Sequence, residues 1–278
     1  MEFVNVNGEI LSSGFAFVRT DNRSYRYGDG LFETMKAKNK KIILGDLHFE
    51  RLYKSLSLLK FDIPAFFSQQ NLETQILELC QKNNCEELAR IRLSISRGNG
   101  SLYKSDEKFQ YIIECSPLKH ETDELDEGGL IIDVFPFARK SCDAFANIKS
   151  ASHLPYVMAA RFVKENKLND CLLLNTYERI CDSTIANLFW VKDEMISTPP
   201  LSEGCIAGVM RRYLMQCAQG TRYKVQEKPC EVKDLENADG IFLTNAIQGI
   251  KQVKRFRDKV YSKKIKIYND LQQYILKS

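Results

Sequence analysis

The segments LARIRLSISRG (residues 88–98) and FQYIIECSPL (109–118) read as paired strands, and the fold of the first half is built outward from them. Upstream, FVNVNGEIL (3–11) alternates around Asn7-Gly8, a hairpin signal. A second strand pair, LFETMKAKNKKIIL (31–44), turns at Lys38 to Lys40. From Asp46, read as an N-cap, LHFERLYKSLSLLK (47–60) sets Leu47, Leu52, Leu56 and Leu59 along one helical face and ends before DIP (62–64). NLETQILELCQKN (71–83) reads as another helix. The first half is therefore expected to be α+β with antiparallel strands.

Between Pro117 and Gly129 the composition turns acidic and polar and ends in paired glycines, LKHETDELDEGG, which reads as a linker. The expected division is a small N-terminal domain (1–117), a linker (118–129) and a larger C-terminal domain (130–278). The second half opens with the strand LIIDVFPFA (130–138) and continues through Lys149 into a helix from about Pro155 to Asn166. DCLLLN (170–175), a turn at TYER (176–179), a strand ending in NLFWV (187–191) and a helix from near Ala207 to about Gln219 follow. No internal repeat or low-complexity tract is visible.

Composition fits an ordinary soluble globular protein: 44% hydrophobic residues, 27% charged, with few Gly and Pro in 278 residues. The formal charge of +4 is spread along the chain, except for Lys251 to Lys266. Apolar residues are interleaved in that run and no recognition motif accompanies it, so it reads as a solvated face rather than a nucleic-acid site. The nine cysteines form no CxxC or Cys/His ligand set, so they are expected to be reduced thiols with neither a metal nor a disulfide framework. No apolar run reaches membrane-spanning length, and the N-terminus carries no charged leader before an apolar core. A cytoplasmic enzyme is the expectation.

No Ser-His-Asp arrangement, P-loop or GxGxxG is present, and His48, His120 and His153 lie far apart and read as structural. Three features remain. ANIKSASH (146–153) sets Lys149 among small and apolar residues, unlike the lysines of KAKNKK or SKKIKIY. ICDSTIANLFW (180–190) places Asp182 at the mouth of an apolar strand, where an ionised carboxylate needs a partner. GCIAGVMRRY (204–213) is a glycine-containing start to a helix, where free N–H groups attract phosphate. A lysine able to form a Schiff base, an acid for a pyridinium nitrogen and a phosphate cradle are together the anchors that pyridoxal phosphate requires.

With these motifs the chain resembles the class IV (fold type IV) pyridoxal-phosphate enzymes, which include branched-chain and D-amino-acid aminotransferases and 4-amino-4-deoxychorismate lyases. The resemblance spans almost the whole chain, in order: YGDGLFET (27–34), HFERL (48–52), RLSISRG (92–98), Lys149, DSTIANLFW (182–190), TPPLSEGCIAGVMR (198–211) and LTNAIQGIKQV (243–253). It implies a two-domain fold with a small α+β and a larger α/β domain, a homodimer, a small-molecule amine as substrate and neither nucleic acid nor membrane as partner.

Residue by residue, the resemblance implies that Lys149 forms the Schiff base, with a lowered pKa, and then carries the proton. Arg51 matches the phosphate-binding arginine, and the backbone amides of Val209 and Met210, with Asn245 and Ala246, match the remaining phosphate contacts. In LFET, period-2 geometry sends Phe32 and Thr34 to one face, which the resemblance makes the substrate pocket, Thr34 helping to position the leaving group. Asp182 stands where the family usually has glutamate against the pyridine nitrogen, a reach shorter by about 1.5 Å; Glu178 falls in the preceding turn. After the lysine this chain has Ser152 and His153 where the lyases often carry Asn and sometimes Arg.

Between activities, the D-amino-acid enzymes' Arg-x-His pair is replaced by Leu102 and Lys104, and the branched-chain enzymes' GITRD by GVMRR. ANLFW and EGCIAGVMR are most similar to the aminodeoxychorismate lyases, which release 4-aminobenzoate and pyruvate. A class IV aminotransferase and a non-catalytic pyridoxal-phosphate-binding protein are the alternative readings.

Overall fold

The computed structural model describes residues 1–16, 18–118, 129–219, 223–261, 268, 270, 271 and 273. The chain divides into two compact units, Met1–Glu124 with Lys149–His153, and Leu125–Ile148 with Leu154–Ser278. Most of the expected linker, His120 and the end of the Lys251 to Lys266 run lie outside the described residues.

The first unit contains β1 (Phe3–Val6), β2 (Glu9–Ser12), α1 (Arg23–Tyr27), β3 (Gly30–Lys38), β4 (Lys41–Ile42), α2 (Gly45–Leu58), α3 (Gln69–Lys82), β5 (Leu88–Ser96) and β6 (Gln110–Pro117). Its sheet runs β2-β1-β6-β5-β3-β4, with every pairing antiparallel. Val6 faces Glu9 across the two-residue Asn7-Gly8 turn, and both turn residues have positive φ, as the twist of such a hairpin demands. The β3–β4 turn is Asn39-Lys40, again with both φ positive.

Alternation puts Met35, Ile91, Leu93, Ile95 and Ile113 on the face that α2 and α3 cover. The sulfurs of Cys80, Cys85 and Cys115 lie within 4.8 Å of one another in this core. They are tied together by Asn83 Nδ2 donating to Cys115 Sγ at 3.2 Å and Cys85 Sγ donating to it at 3.6 Å. All nine cysteines are free.

Two local expectations are corrected here. The N-cap of α2 is Leu44, in the left-handed region, and Asp46 lies in the first turn, where its charge meets the positive end of the helix. The buried face of α2 is His48, Phe49, Leu52 and Leu56, with Leu47 and Leu59 half-buried.

The second unit contains β7 (Leu130–Lys140), α4 (Leu154–Glu165), β8 (Asp170–Asn175), β9 (Ile180–Ser183), β10 (Asn187–Lys192), β11 (Met195–Thr198), α5 (Val209–Ala218), β12 (Lys224–Glu227), α6 (Val232–Asn237), β13 (Gly240–Asn245), β14 (Gly249–Phe256) and β15 (Lys259–Val260). Its sheet runs β12-β11-β10-β13-β14-β7-β8-β9, with β15 on β14. β7 is parallel to both β8 and β14. Ile132, Leu172, Leu188, Trp190, Leu243 and Val253 build its core. DSTIANLFW is two strands rather than one. Asp170, buried, breaks the run by accepting from Ser183 Oγ at 2.8 Å and Thr184 Oγ1 at 2.6 Å, which folds residues 184–186 into a tight connection.

Candidate active site

Lys149 is carried by the first unit, although the sequence order places it inside the second half. The reason is an edge of β3. Phe32 N donates to Lys149 O at 3.0 Å and Ala151 N to Gly30 O at 2.9 Å, so residues 149–151 extend the sheet beside Gly30–Phe32. Gly28 makes room for this approach: it has φ +69, and a Cβ there would stand 3.0 Å from Ser152 Cα.

The two faces of β3 then divide the work. On one, the Lys149 Nζ lies 4.5 Å from the centre of the Phe32 ring and the Arg92 guanidinium 4.0 Å from it. His153 stands edge-on to the same ring at 5.4 Å. Thr34, half-buried, is directly opposite Arg92 on β5. An aromatic ring with a lysine and an arginine around it is a surface for a flat, anionic amine.

On the opposite face Glu33 is buried against α2. Arg51 meets it with two prongs, and His48 Nδ1 lies 2.8 Å from Oε2, the oxygen that also accepts from Arg51 Nη2. Burial resists the Glu33 charge, but Arg51 and the His48 hydrogen bond outweigh it and hold the carboxyl at about 2. His48 moves the opposite way from an imidazole in water: burial lowers its pKa further than Glu33 can restore it. It is a neutral ring that donates from Nδ1, and its buried Nε2 makes no hydrogen bond among the described residues. Arg51 is therefore built into an ion pair, with any phosphate contact made from within that pair.

In the second unit, Asp182 is nearly fully buried and is approached from three elements. Its Oδ2 accepts from Lys140 Nζ at 3.0 Å, Tyr156 OH at 3.0 Å and the backbone N–H of Ile206 at 3.0 Å. Lys140 Nζ also contacts the Tyr156 hydroxyl. Burial opposes the Lys140 charge, yet Asp182 and the neighbouring thiols prevail and raise its pKa. Tyr156 is pushed well up by burial and by Asp182, so it remains a phenol. Glu178 points elsewhere and pairs with Arg139.

Residues 206–208 run between Asp182 and the start of α5. Asn187 Nδ2 donates to Ile206 O at 2.8 Å, and a Cβ on Gly208 would fall 1.8 Å from Asn187 Oδ1, so only glycine fits beside it. Gly208 caps α5 without any side-chain hydrogen bond, and the first amide to bond back is Arg212 N, to Gly208 O at 3.0 Å. The N–H groups of Val209 and Met210 precede that bond and face outward along the helix dipole.

Thr244 is directly opposite Asn187 across the β10–β13 pair, and its buried Oγ1 has no hydrogen-bond partner among the described residues. A phosphate oxygen at this uncapped helix start would satisfy such a hydroxyl, so this part of the chain fits pyridoxal phosphate. The Asn245 side chain is taken up in its own turn, accepting from Ile247 N at 3.0 Å and Gln248 N at 2.7 Å. The Asn245 backbone ends β13 opposite Gly249, and Ala246 follows in the turn.

Residues 30–256 match the model of the class IV amino-transferase family. The chain belongs to that family. It is 29% identical over 236 residues to an aminodeoxychorismate lyase of Vibrio harveyi, covering 84% of each chain. It is 27% identical over 268 residues to a putative branched-chain-amino-acid aminotransferase of Methanocaldococcus jannaschii, covering 94% of this chain and 90% of the relative. Among solved structures, a putative 4-amino-4-deoxychorismate lyase from Legionella pneumophila superposes with a TM-score of 0.86 at 25% identity, over 95% of this chain and 96% of that one. The protein is thus an enzyme of the class IV pyridoxal-phosphate family, with the mixed α+β fold of its relatives.

Sequence reasoning did not single out Glu33, Arg92, Lys140, Tyr156 or Thr244, and it read His48 as structural. Glu33, His48 and Arg92 sit inside the quoted motifs, and alternation along LFET was enough to put Glu33 opposite Phe32 and Thr34. Lys140 and Tyr156 carry no sequence signal, because their partner Asp182 is 42 and 26 residues away.

Proposed function

We propose that the protein is a pyridoxal-phosphate-dependent 4-amino-4-deoxychorismate lyase that forms 4-aminobenzoate and pyruvate. The observation that carries this reading is the Phe32 ring with the Lys149 Nζ at 4.5 Å and the Arg92 guanidinium at 4.0 Å. A cyclohexadiene that bears an amine and a carboxylate matches that triad: its ring lies against Phe32, its amine toward Lys149 and its carboxylate toward Arg92. The resemblance to the Vibrio harveyi lyase supports the same choice. So does the chain after Gly98, where Leu102 and Lys104 replace an Arg-x-His grip and Leu102 is exposed.

In this reading Lys149 holds the cofactor. Arg51, the amides of Val209 and Met210, and the backbone of Asn245 and Ala246 hold its phosphate, and Asp182 faces its pyridine nitrogen. The bound cofactor supplies the sink for the electron pair left when the amine-bearing carbon loses its proton. Lys149 Nζ takes that proton. Thr34 positions the enolpyruvyl group, whose departure makes the ring aromatic. Arg92 keeps the ring carboxylate fixed while this happens.

The second reading, an aminotransferase, rests on the Methanocaldococcus jannaschii relative. The two are separated by the need for an amino acceptor. A lyase regains its starting state in each turnover, so steady 4-aminobenzoate and pyruvate are expected from aminodeoxychorismate with no 2-oxo acid present. Inertness toward aminodeoxychorismate, with amino exchange between leucine or D-alanine and 2-oxoglutarate, would put the aminotransferase in its place.

A further inference from the structure

The environment of Asp182 departs from that of a carboxylate waiting for a protonated ring nitrogen. Its Oδ2 already receives three donors, from the end of β7 (Lys140), from α4 (Tyr156) and from the backbone ahead of α5 (Ile206), each at 3.0 Å. Among the described residues the thiols of Cys181 on β9 and Cys205 ahead of α5 also face this cluster, with Arg211 and Glu227 beyond Cys205, and Cys181 Sγ lies 3.5 Å from Asp182 Oδ1. With Lys140 the carboxylate forms a buried pair of no net charge, the two side chains being 2% and 8% exposed. A protonated pyridine would add a second cation to one carboxylate in a medium of low polarity, where the Lys140 repulsion is felt strongly.

We infer that Lys140 neutralises Asp182, so that the cofactor's pyridine nitrogen is held without a proton, as an acceptor facing the Lys140, Tyr156 and Asp182 cluster. The inference rests on the reading that Asp182 faces that nitrogen. A ring without its proton is a weaker electron sink. An elimination driven by forming an aromatic ring tolerates that weakness better than an exchange of amino groups between acids, which has no such driving force.

The test is the ¹⁵N resonance of enzyme reconstituted with cofactor labelled at the ring nitrogen, after borohydride reduction and peptide mapping on a parallel sample. The expected result is cofactor on Lys149 and a resonance at the unprotonated position, unmoved by pH through neutrality. Lys140→Met is expected to move it to the protonated position, and Lys140→Met/Asp182→Asn, which removes both charges, to return it. Should Lys140→Met not fold, Asp182→Asn replaces it, and its resonance is expected to coincide with that of the unsubstituted enzyme. Cofactor on Lys149 with a protonated resonance in the unsubstituted enzyme overturns the inference alone. A resonance that Lys140→Met leaves in place does the same. Cofactor reduced onto another lysine overturns the reading of the site and the inference with it.

Discussion

Arg51 lays its guanidinium along the carboxylate of Glu33, Nε to Oε1 at 2.8 Å and Nη2 to Oε2 at 2.6 Å, with Glu33 2% and Arg51 12% exposed. A surface arginine waiting for phosphate would be replaceable at little cost to the empty protein. This one is different, because removing it strands a buried carboxylate. Arg51→Ala is expected to destabilise the cofactor-free protein by about 3 kcal/mol, in addition to weakening cofactor binding by about 1.5–3 kcal/mol. Urea unfolding of the apo-protein measures the first and cofactor titration the second. An apo-protein midpoint unchanged in Arg51→Ala would remove the ion pair from the account of stability.

The same pair sets an acid limit. Glu33 titrates at about 2 in the folded protein, against 4.5 for a free glutamate. Its stabilising contribution is complete above the unfolded value and is lost as pH falls from about 4.5 toward 2, amounting to about 3 kcal/mol. His48 acts with the same sign, since its lowered pKa makes the neutral form the native one and stability is lost below its unfolded value. Unfolding free energies between pH 7 and pH 3 are expected to fall more steeply for the unsubstituted protein than for Glu33→Gln. Parallel curves would mean that Glu33 does not titrate as described.

Much of this was legible in the sequence where the signals are local. The Asn7-Gly8 hairpin, the β5–β6 pair and α3 follow from turn chemistry and periodicity within a dozen residues. The cap of α2 was misplaced by two residues because Leu44 adopts a left-handed conformation that no propensity favours, imposed by the β4 to α2 connection. Lys149 could be found in the sequence, but its membership of the first unit could not. That depends on hydrogen bonds to Gly30 and Phe32, more than a hundred residues away. Lys140 lay beyond reach for the same reason: it reads as one more lysine until β7, β8 and β9 align it with Asp182.

The backbone around Lys149 is tied to β3 through Phe32 N and the neighbouring Ala151 N, whatever the side chain does. Lys149→Ala is therefore expected to keep the fold and to unfold within about 0.5 kcal/mol of the unsubstituted protein. Cofactor still binds through its phosphate contacts, but the absorbance band of lysine-bound cofactor disappears and product formation stops. Retention of that band would move the attachment to another lysine.

Gly208 tests the phosphate cradle from its steric side. Its φ of −66° suits any residue, so strain is not the issue. Space is, since a Cβ would fall 1.8 Å from Asn187 Oδ1 and Asn187 is anchored to Ile206 O. Gly208→Ala is expected to displace the start of α5 and weaken cofactor binding by roughly tenfold, about 1.4 kcal/mol. Adding Asn187→Ala, which removes the obstructing oxygen, restores part of the loss. If Gly208→Ala binds cofactor normally, the amides of Val209 and Met210 are not its anchor.

Thr244 separates the stability of the empty protein from its affinity for the cofactor. Its Oγ1 is buried with no hydrogen-bond partner among the described residues, an arrangement that costs about 1–3 kcal/mol relative to a satisfied or absent hydroxyl. Thr244→Val keeps the branched shape and removes the stranded group, so the apo-protein is expected to gain about 1 kcal/mol in unfolding free energy. The same change takes away a donor that stands opposite Asn187, next to the uncapped start of α5, and cofactor affinity is expected to fall. The two effects have opposite signs, which a general disturbance of β13 would not produce. Thermal unfolding of apo-protein, paired with cofactor titration, reads both. A variant that loses stability in the apo form would show that Thr244 is satisfied there and serves β13 rather than the phosphate.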